Sequence, residues 1–214
     1  MALMALDMGG GFTLRQAGDE DHDALAMICL KTGDAGKDAS AREDDPLLIG
    51  AIYALPYQVI EPLFAFVIEH PDHGVCGYVL GAPDTDRFYR VIEQTWYRTL
   101  RTKVADPGPD MRAWRGSDWA RRLIHHPKYV FPKSLYPYPA HGHIDLLPVA
   151  QGKGLGGTAL RFLMAQLAAR RVTGIHLGVD PKNTGAVRFY DRLGFTPLVA
   201  DDLPKGSLYM VKSF

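Results

Sequence analysis

The order of apolar and polar positions predicts strands and helices in alternation from residue 12 onward. Residues 12–16 alternate as a short strand, and the apolar stripe that follows indicates a helix that Asp19 or Asp21 can cap. The polar, Gly- and Asp-rich residues 33–46 predict a loop. The apolar run after that loop is predicted to be a helix that ends before Pro56.

Two apolar segments joined by a turn predict a β-hairpin. They cover residues 64–69 and 75–82, and the residues between them include proline, aspartate and glycine. Gly77 and Gly81 lie inside the second segment, where a glycine usually marks a close backbone approach or a bulge.

The residues from His143 to Gly157 predict a strand, a glycine loop and the start of a helix. This order leaves several backbone N–H groups unpaired at the positive end of a helix dipole, which suits a diphosphate. The loop also fits G-x-G-x-x-G, the dinucleotide fingerprint. Against a dinucleotide, residues 148–151 separate the strand from the first glycine, and too few residues follow Asp180 for a doubly wound domain. Gly154 follows Lys153, so the loop is not a Walker loop.

A second block of residues changes the interpretation of the glycine loop. Two blocks carry the pattern: Gln151-x-x-Gly154-x-Gly156, and Asn183-x-x-Ala186-x-x-Phe189-Tyr190 closing with Leu193-Gly194-Phe195. This paired pattern resembles the Gcn5-related N-acetyltransferase (GNAT) superfamily. The resemblance starts near residue 12, so we expect a flexible leader over 1–11 and a GNAT domain over 12–214.

The resemblance implies an α/β (α+β) fold with a mixed, splayed sheet of about six or seven strands flanked by helices. It also implies acetyl-CoA as cosubstrate, with the diphosphate on the loop amides and the pantetheine arm along exposed strand backbone. The implied acetyl-CoA contacts are Leu146, Leu147, Gln151, Gly152, Lys153, Gly154, Leu155, Gly156, Gly157, Thr158, Asn183, Ala186, Phe189 and Tyr190. Asn183 can instead cap the helix that follows Pro181.

Two catalytic residues are expected. By resemblance, Tyr190 protonates the departing thiolate, although it can also be a packed aromatic. Asp145 is our candidate base for the ammonium of the acceptor, directly or through water, and can alternatively be a carboxylate tied to a neighbouring arginine or backbone N–H. His141 and His143 share its strand face and are weaker candidates.

Residues 83–140 form an insertion relative to a minimal acetyltransferase, and we interpret them as the wall or lid of the acceptor site. Within the superfamily, the chain is similar to the acetyltransferase-like C-terminal domain of animal O-GlcNAcase and to stand-alone bacterial acetyltransferases of that type. Four aromatic residues in the insertion can line an acceptor pocket or simply pack: Trp114, Trp119, Tyr136 and Tyr138.

The composition of the chain limits the classes of binding partner that we expect. The formal net charge is +0, from 24 basic and 24 acidic residues, so we expect neither a nucleic acid nor a membrane partner. Neither an apolar run of membrane-spanning length nor a cationic leader is present, which favours a cytoplasmic protein. Cys29 and Cys76 suggest buried thiols, and the adjacent His125 and His126 point apart on a helix, so we expect no metal site.

These observations favour an N-acetyltransferase in which an amine attacks the thioester directly; the amine can be a small molecule or a protein lysine. The alternatives are an acetyl-CoA-binding module without catalysis and a nicotinamide dinucleotide binder. We expect a monomer or a homodimer, because exposed final strands such as residues 208–214 often pair in this superfamily.

Overall fold

The computed structural model describes residues 5–214 and places eight strands in one sheet. The strands are β1 Ala5–Gly9, β2 Phe12–Gln16, β3 Ala65–His70, β4 Gly74–Ala82, β5 Ala140–Leu146, β6 Gly174–Val179, β7 Thr196–Leu198 and β8 Leu208–Ser213. Their spatial order is β1-β2-β3-β4-β5-β6-β8-β7. Only β5 and β6 pair in parallel, so the sheet is mixed, as predicted, with one strand more than expected.

The helices cover both faces of this sheet. They are α1 His22–Thr32, α2 Leu48–Tyr53, α3 Leu55–Ile60, α4 Thr85–Val91, α5 Arg98–Leu100, α6 Asp118–His125, α7 Leu155–Ala169 and α8 Thr184–Arg192. A π-helical stretch, Ile92–Tyr97, joins α4 to α5. One core lies between the sheet and α1 to α6, and a second core lies between the opposite face and α7 with α8.

The predicted flexible leader is wrong for the residues that the structure describes. Ala5–Gly9 forms β1 and pairs antiparallel with β2, while residues 1–4 lie outside the described range. Gly9, Gly10 and Gly11 all have positive φ angles, between 61° and 82°, and make the turn between the two strands. The glycine run therefore closes a hairpin, because glycine adopts such angles at little steric cost.

The helix predicted to end before Pro56 does so, because α2 ends at Tyr53 and Ala54 leaves the helical conformation. Pro56 lies in the first turn of the separate helix α3, where a missing N–H costs nothing. Two smaller predictions need correction. Asp21 precedes α1 but makes no cap to that helix; its carboxylate accepts from Arg15 at 2.6 and 2.8 Å. β8 is not an exposed final strand, since it pairs with β6 on one side and β7 on the other.

The insertion over 83–140 is packed into the fold. Its α4 to α6 region contributes Phe88, Ile92, Tyr97 and Ile124 to the core against α2 and α3. The insertion therefore forms a fixed wall on the α1 side of the sheet.

Gly81, in β4, confirms the predicted close approach, because a Cβ there would lie 2.8 Å from a methyl of Leu163 in α7.

Candidate active site

The site is organised around the separation of β5 from β6. The two strands pair only at Ala140 with Ile175 and His141 with His176. The rest of β5 keeps its other edge on β4, up to Leu146 opposite Gly77. Ladder bonds alternate between the two edges of a strand, so the N–H and C=O groups of alternate β5 residues face the opening.

The backbone of Leu147 does not face this opening. Its N–H donates to the Cys76 carbonyl at 2.8 Å, and its carbonyl accepts from the Ala150 N–H at 2.9 Å. The prediction that both Leu146 and Leu147 pair with pantetheine is therefore corrected. The alternation places Leu146 on the open edge, as predicted, together with Ile144. The sequence analysis missed Ile144.

The glycine loop lies directly after this edge. Gly152 and Gly154 have φ angles of 72° and 79°, and nothing lies within 4 Å of a Cβ built at either position. Glycine is therefore needed at both positions for the backbone conformation and not because a side chain would lack space. The first helical bond of α7 runs from the Thr158 N–H to the Gly154 carbonyl at 3.1 Å.

The amides of Leu155, Gly156 and Gly157 form the first turn of α7, so they have no partner within the helix. Lys153 is exposed beside them. The side chain of Gln151 turns back to the opening, where its Nε2 donates to the Leu146 carbonyl at 2.7 Å. The Thr158 hydroxyl lies 3.4 Å from the Gly154 carbonyl and stays at the helix surface.

Helix α8 closes the opening from the β6 side. A Cβ at Gly156 would lie 3.4 Å from Phe189 and 3.5 Å from Leu146, so loop, strand and helix meet at one point. Asn183 caps α8, because its Oδ1 accepts from the Ala186 N–H at 3.0 Å. The cap explains this asparagine without a ligand.

Tyr190, on the buried side of α8, has 9% of its surface exposed. Its ring packs against Phe189 and Phe195, with centroids 5.2 and 5.7 Å away. The hydroxyl makes no hydrogen bond to any residue from 5 to 214. Burial, followed by the charge of Asp145, raises the pKa of the Tyr190 phenol, so the hydroxyl stays protonated over the physiological range.

Asp145 lies in a hydrogen-bonded group with two aromatic residues. The Tyr78 hydroxyl donates to Asp145 Oδ2 at 2.5 Å, and His143 Nδ1 lies 3.1 Å from the Tyr78 oxygen and 3.4 Å from Asp145 Oδ2. Burial raises the pKa of the Asp145 carboxyl, while His143 and the Tyr78 hydroxyl oppose that rise. The predicted alternative, a carboxylate tied to an arginine or a backbone N–H, therefore differs from the geometry, in which the Tyr78 hydroxyl and His143 hold the carboxylate.

The hydrogen-bond network assigns the proton positions on His143. Tyr78 has one hydroxyl hydrogen, and Asp145 accepts it, so His143 Nδ1 must carry a hydrogen to donate to the Tyr78 oxygen. In the neutral tautomer that this network favours, Nε2 of His143 carries the lone pair, on a side chain that is 31% exposed. A basic lone pair beside a carboxylate is the arrangement of a general base with an orienting partner.

The other predicted residues have separate environments. His141 is buried, and burial lowers its pKa well below the ordinary value, so it stays neutral. Both cysteines are buried, as predicted, and burial raises the pKa of the Cys29 thiol to about 12, which makes it a poor nucleophile. His125 contacts the Val104 carbonyl and His126 contacts Asp106.

Of the four insertion aromatics, only Trp119 approaches the His143 group. Its ring stacks on Tyr53 at 6.3 Å, and Tyr53 stacks on His143 at 5.9 Å. Trp114 instead donates to the Gly108 carbonyl, and Tyr136 packs against Phe131. The sequence analysis missed Tyr53 and Tyr78; the strand register places Tyr78 opposite Asp145, and no local motif carries that information.

The described residues carry neither a metal-ligand cluster nor a membrane-spanning helix. Within residues 5–214, no three His, Cys, Asp or Glu side chains are grouped so that they could hold a metal ion. Over the same described range, every helix is too short or too polar to cross a bilayer.

The comparisons with known proteins agree with this geometry. A model of the Acetyltransferase (GNAT) family matches residues 130–195, which include β5, the glycine loop and α8 up to Phe195. The solved structure of SsHAT is 33% identical, with a TM-score of 0.86, over 95% of this chain and 98% of that one. The chain belongs to the GNAT acetyltransferase family.

The chain is also similar to a curated protein and to a second solved structure. Protein O-GlcNAcase from Rattus norvegicus is 23% identical over 208 residues, which are 94% of this chain and 22% of that protein. The chain thus spans about a fifth of the length of this curated relative. The structure of yncA, a putative acetyltransferase from Salmonella typhimurium solved with its cofactor acetyl-CoA, shares the fold at 17% identity and a TM-score of 0.53, over 94% and 93% of the two chains.

The family and the sheet together disfavour the dinucleotide alternative. A doubly wound dinucleotide domain has a mainly parallel sheet. Here β5 and β6 form the one parallel pair among the strands of residues 5–214.

Proposed function

We propose that the protein is an acetyl-CoA-dependent N-acetyltransferase. The observation that carries this proposal is the opening between β5 and β6, which ends at the N-terminus of α7. Acetyl-CoA supplies the acetyl thioester when bound. The amides of Leu155, Gly156 and Gly157 are suited to the diphosphate, and the open edge at Ile144 and Leu146 is suited to the amides of the pantetheine arm.

His143 is the proposed base, with Asp145 as its positioning residue. An acceptor ammonium has an ordinary pKa of about 10.4 and must lose a proton before its nitrogen attacks. His143 Nε2 takes that proton, while Asp145, fixed by Tyr78, stabilises the imidazolium that results. Imidazole is well matched to this step near neutral pH. The sequence-based choice of Asp145 as the base thus becomes a division of roles between the two residues.

Tyr190 completes the proposed reaction at the sulfur. The amine nitrogen forms a bond to the acetyl carbon, and the carbon–sulfur bond breaks with its electron pair remaining on sulfur. The protonated Tyr190 hydroxyl, which has no partner among the described residues, donates to that sulfur. The nitrogen loses its second proton as the amide forms, and this proton restores the Tyr190 phenol through solvent. The products are the acetylated amine and the coenzyme A thiol, and His143 returns the first proton to solvent.

A binding module without catalysis is the second candidate. The similarity over 208 residues to protein O-GlcNAcase favours it, because the name of that relative refers to a different activity and not to acetyl transfer. Both candidates bind acetyl-CoA at the same site, but only the acetyltransferase transfers the acetyl group to an amine.

The test combines calorimetry with thiol release. We expect acetyl-CoA to bind, a panel of primary amines to release coenzyme A thiol, and Tyr190→Phe to lower kcat about tenfold or more at nearly unchanged acetyl-CoA affinity. Binding without thiol release from any amine would favour the module. No heat of binding for acetyl-CoA would overturn both candidates.

A further inference from the structure

An open cavity of about 460 Å³ lies on the acceptor side of the sheet. It is bordered by the loop between α1 and α2, by α2 and by α6 with the residues before it. Its lining residues are Gly33, Arg42, Ile49, Tyr53, Gly116 and Trp119. The two glycines contribute no side chains, so Tyr53, Trp119, Ile49 and Arg42 supply the wall, in which two aromatic rings lie beside polar atoms that share the surface about equally with apolar ones.

A series of stacked rings connects this cavity to the proposed base. Trp119 and Tyr53 have centroids 6.3 Å apart and planes at 22°. Tyr53 and His143 follow at 5.9 Å and 10°, and His143 and Tyr78 at 5.7 Å and 23°. The series ends at Asp145, which Tyr78 contacts directly. Ring faces stack with other rings and attract cations. The series therefore suits an acceptor whose aromatic group lies near Trp119 and Tyr53 and whose ammonium lies nearer to His143.

The charge of the cavity wall is already balanced. Arg42 is the one charged residue among the six that line it. Its guanidinium donates to Asp34 at 2.8 Å and lies 3.5 Å from Glu43. Glu43 has a fully buried side chain, and its carboxylate also accepts from Trp119 Nε1 at 3.1 Å. The wall therefore offers no unpaired positive charge to a carboxylate or phosphate on the acceptor.

We infer that the cavity binds the ring of an arylalkylamine, a primary amine joined to an aromatic ring by a short chain. This inference rests on the proposed acetyl transfer, because it assigns the acceptor of that same site. The ring lies against Tyr53 and Trp119, and the amine points to His143. Tyr53 lies one ring-to-ring step of 5.9 Å from His143. At about 1.5 Å per bond, a chain of about two or three carbon atoms spans that step.

Other amines fit this wall less well. A polyamine has a second ammonium that needs a carboxylate partner, but Asp34 and Glu43 are both engaged by Arg42. A lysine side chain has no ring to stack on Tyr53. These amines are outcomes of the test that would overturn the inference.

The first experiment measures binding without turnover. Calorimetry with the protein saturated with coenzyme A, which has no acetyl group to transfer, compares 2-phenylethylamine with 2-cyclohexylethylamine of similar size. We expect the aromatic amine to bind about fivefold more tightly. Tyr53→Leu should weaken its binding about tenfold, while Tyr53→Phe, which keeps the ring, should change it less than about twofold.

The matched control is Tyr136→Leu. Tyr136 is an exposed tyrosine of the insertion, outside the cavity lining, and Tyr53 is 40% exposed at the end of α2, so both variants should fold. We expect Tyr136→Leu to bind 2-phenylethylamine like the wild type. Equal affinity for the two amines, tighter binding of spermidine or of Nα-acetyl-lysine amide, or unchanged affinity in Tyr53→Leu would overturn the inference.

Thiol release from acetyl-CoA separates this inference from the proposed function. A higher kcat/KM for 2-phenylethylamine than for its cyclohexyl analogue supports both. The expected binding pattern without thiol release supports the cavity assignment and removes the proposed catalysis. If coenzyme A itself does not bind, the amine titration on the free protein still decides the cavity assignment.

Discussion

The two sides of the site differ in how the chain builds them. On the cosubstrate side, consecutive residues supply most of the proposed contacts, from Ile144 in β5 to Gly157 in α7. On the acceptor side, Tyr53, Tyr78, Trp119 and His143 come from four separate elements. The first side depends on local backbone conformation, and the second depends on long-range packing. The comparison implies that single substitutions should separate cosubstrate affinity from acceptor chemistry.

The largest expected effect is on the cosubstrate side. Gly154→Glu introduces a strained residue at a φ of 79° and a negative charge beside the amides proposed for the diphosphate. We expect the Kd for acetyl-CoA to rise about a thousandfold, since charge-assisted hydrogen bonds are worth about 1.5–3 kcal/mol each. Isothermal titration calorimetry measures this change.

Gly108→Glu is the matched control for that substitution. Gly108 has a φ of 80° and, like Gly154, nothing within 4 Å of a built Cβ, but it lies in the insertion. The same strain and charge should leave the affinity for acetyl-CoA unchanged. Equal losses in the two variants would show that strain alone explains the effect.

The second prediction concerns the closed end of the β5–β6 pair, which both sides share. Burial lowers the pKa of His176 to about 4, below the ordinary imidazole value of about 6.5. The unfolded chain therefore binds a proton more tightly than the folded one, and stability falls as pH drops from about 6.5 to about 4. Over this pH range, protonation of His176 should lower the free energy of unfolding by about 3 kcal/mol.

Urea unfolding as a function of pH tests this prediction. In His176→Asn, the amide can still donate to the Tyr138 carbonyl that His176 Nδ1 contacts at 2.8 Å. We expect this variant to lose less stability on acidification than the wild type, with His141 still contributing in the same direction. Parallel pH curves for the two proteins would contradict the assignment.

The third prediction concerns the acceptor side alone. His143→Gln should lower kcat about a hundredfold, because positioned general bases contribute about that factor or more. The acetyl-CoA affinity should not change, and the acidic limb of the kcat/KM pH profile should disappear. Asp145→Asn should lower kcat less and keep that limb. A larger loss in Asp145→Asn would return the role of base to the carboxylate.

The smallest expected effect concerns how the acceptor wall is held. Glu43 accepts from Ser117 Oγ at 2.7 Å and from Trp119 Nε1 at 3.1 Å, so it joins the α1–α2 loop to α6. Glu43→Gln keeps the shape and weakens charge-assisted bonds, which should cost about 1 kcal/mol of stability. The KM for the amine should rise while the Kd for acetyl-CoA stays constant. An equal change in both constants would mean that the two sides are coupled.

The sequence predicted the local structure of the cosubstrate side well, because the information that specifies it is local. The order of strand, glycine loop and helix and the hairpin before it could be inferred from periodicity and turn residues, and the mixed sheet followed from the family resemblance that the paired motif carries. Leu147 was assigned incorrectly because its backbone partners depend on the register with Cys76, which the sequence does not specify. The leader was missed because a glycine run fits both a flexible segment and a hairpin turn.

The acceptor side was less predictable for the same physical reason. Tyr53 is one of many aromatic residues in an apolar helix, and its contact with His143 arises only when α2 packs over β5. His143 was identified as sharing a face with Asp145, but its proton position depends on Tyr78 across the strand pair. Such arrangements follow from long-range contacts, which single-sequence patterns do not encode.

The junction of two residue pairs between β5 and β6 also has a consequence for the lifetime of the protein. A molecule that bridges the opening would bind the folded state alone and join the two half-sheets. At a ligand concentration of about 100 times its Kd, the folded state gains about 2.7 kcal/mol. Under the proposed function, a drop in acetyl-CoA supply would then expose more of these molecules to proteases, so abundance would follow metabolism.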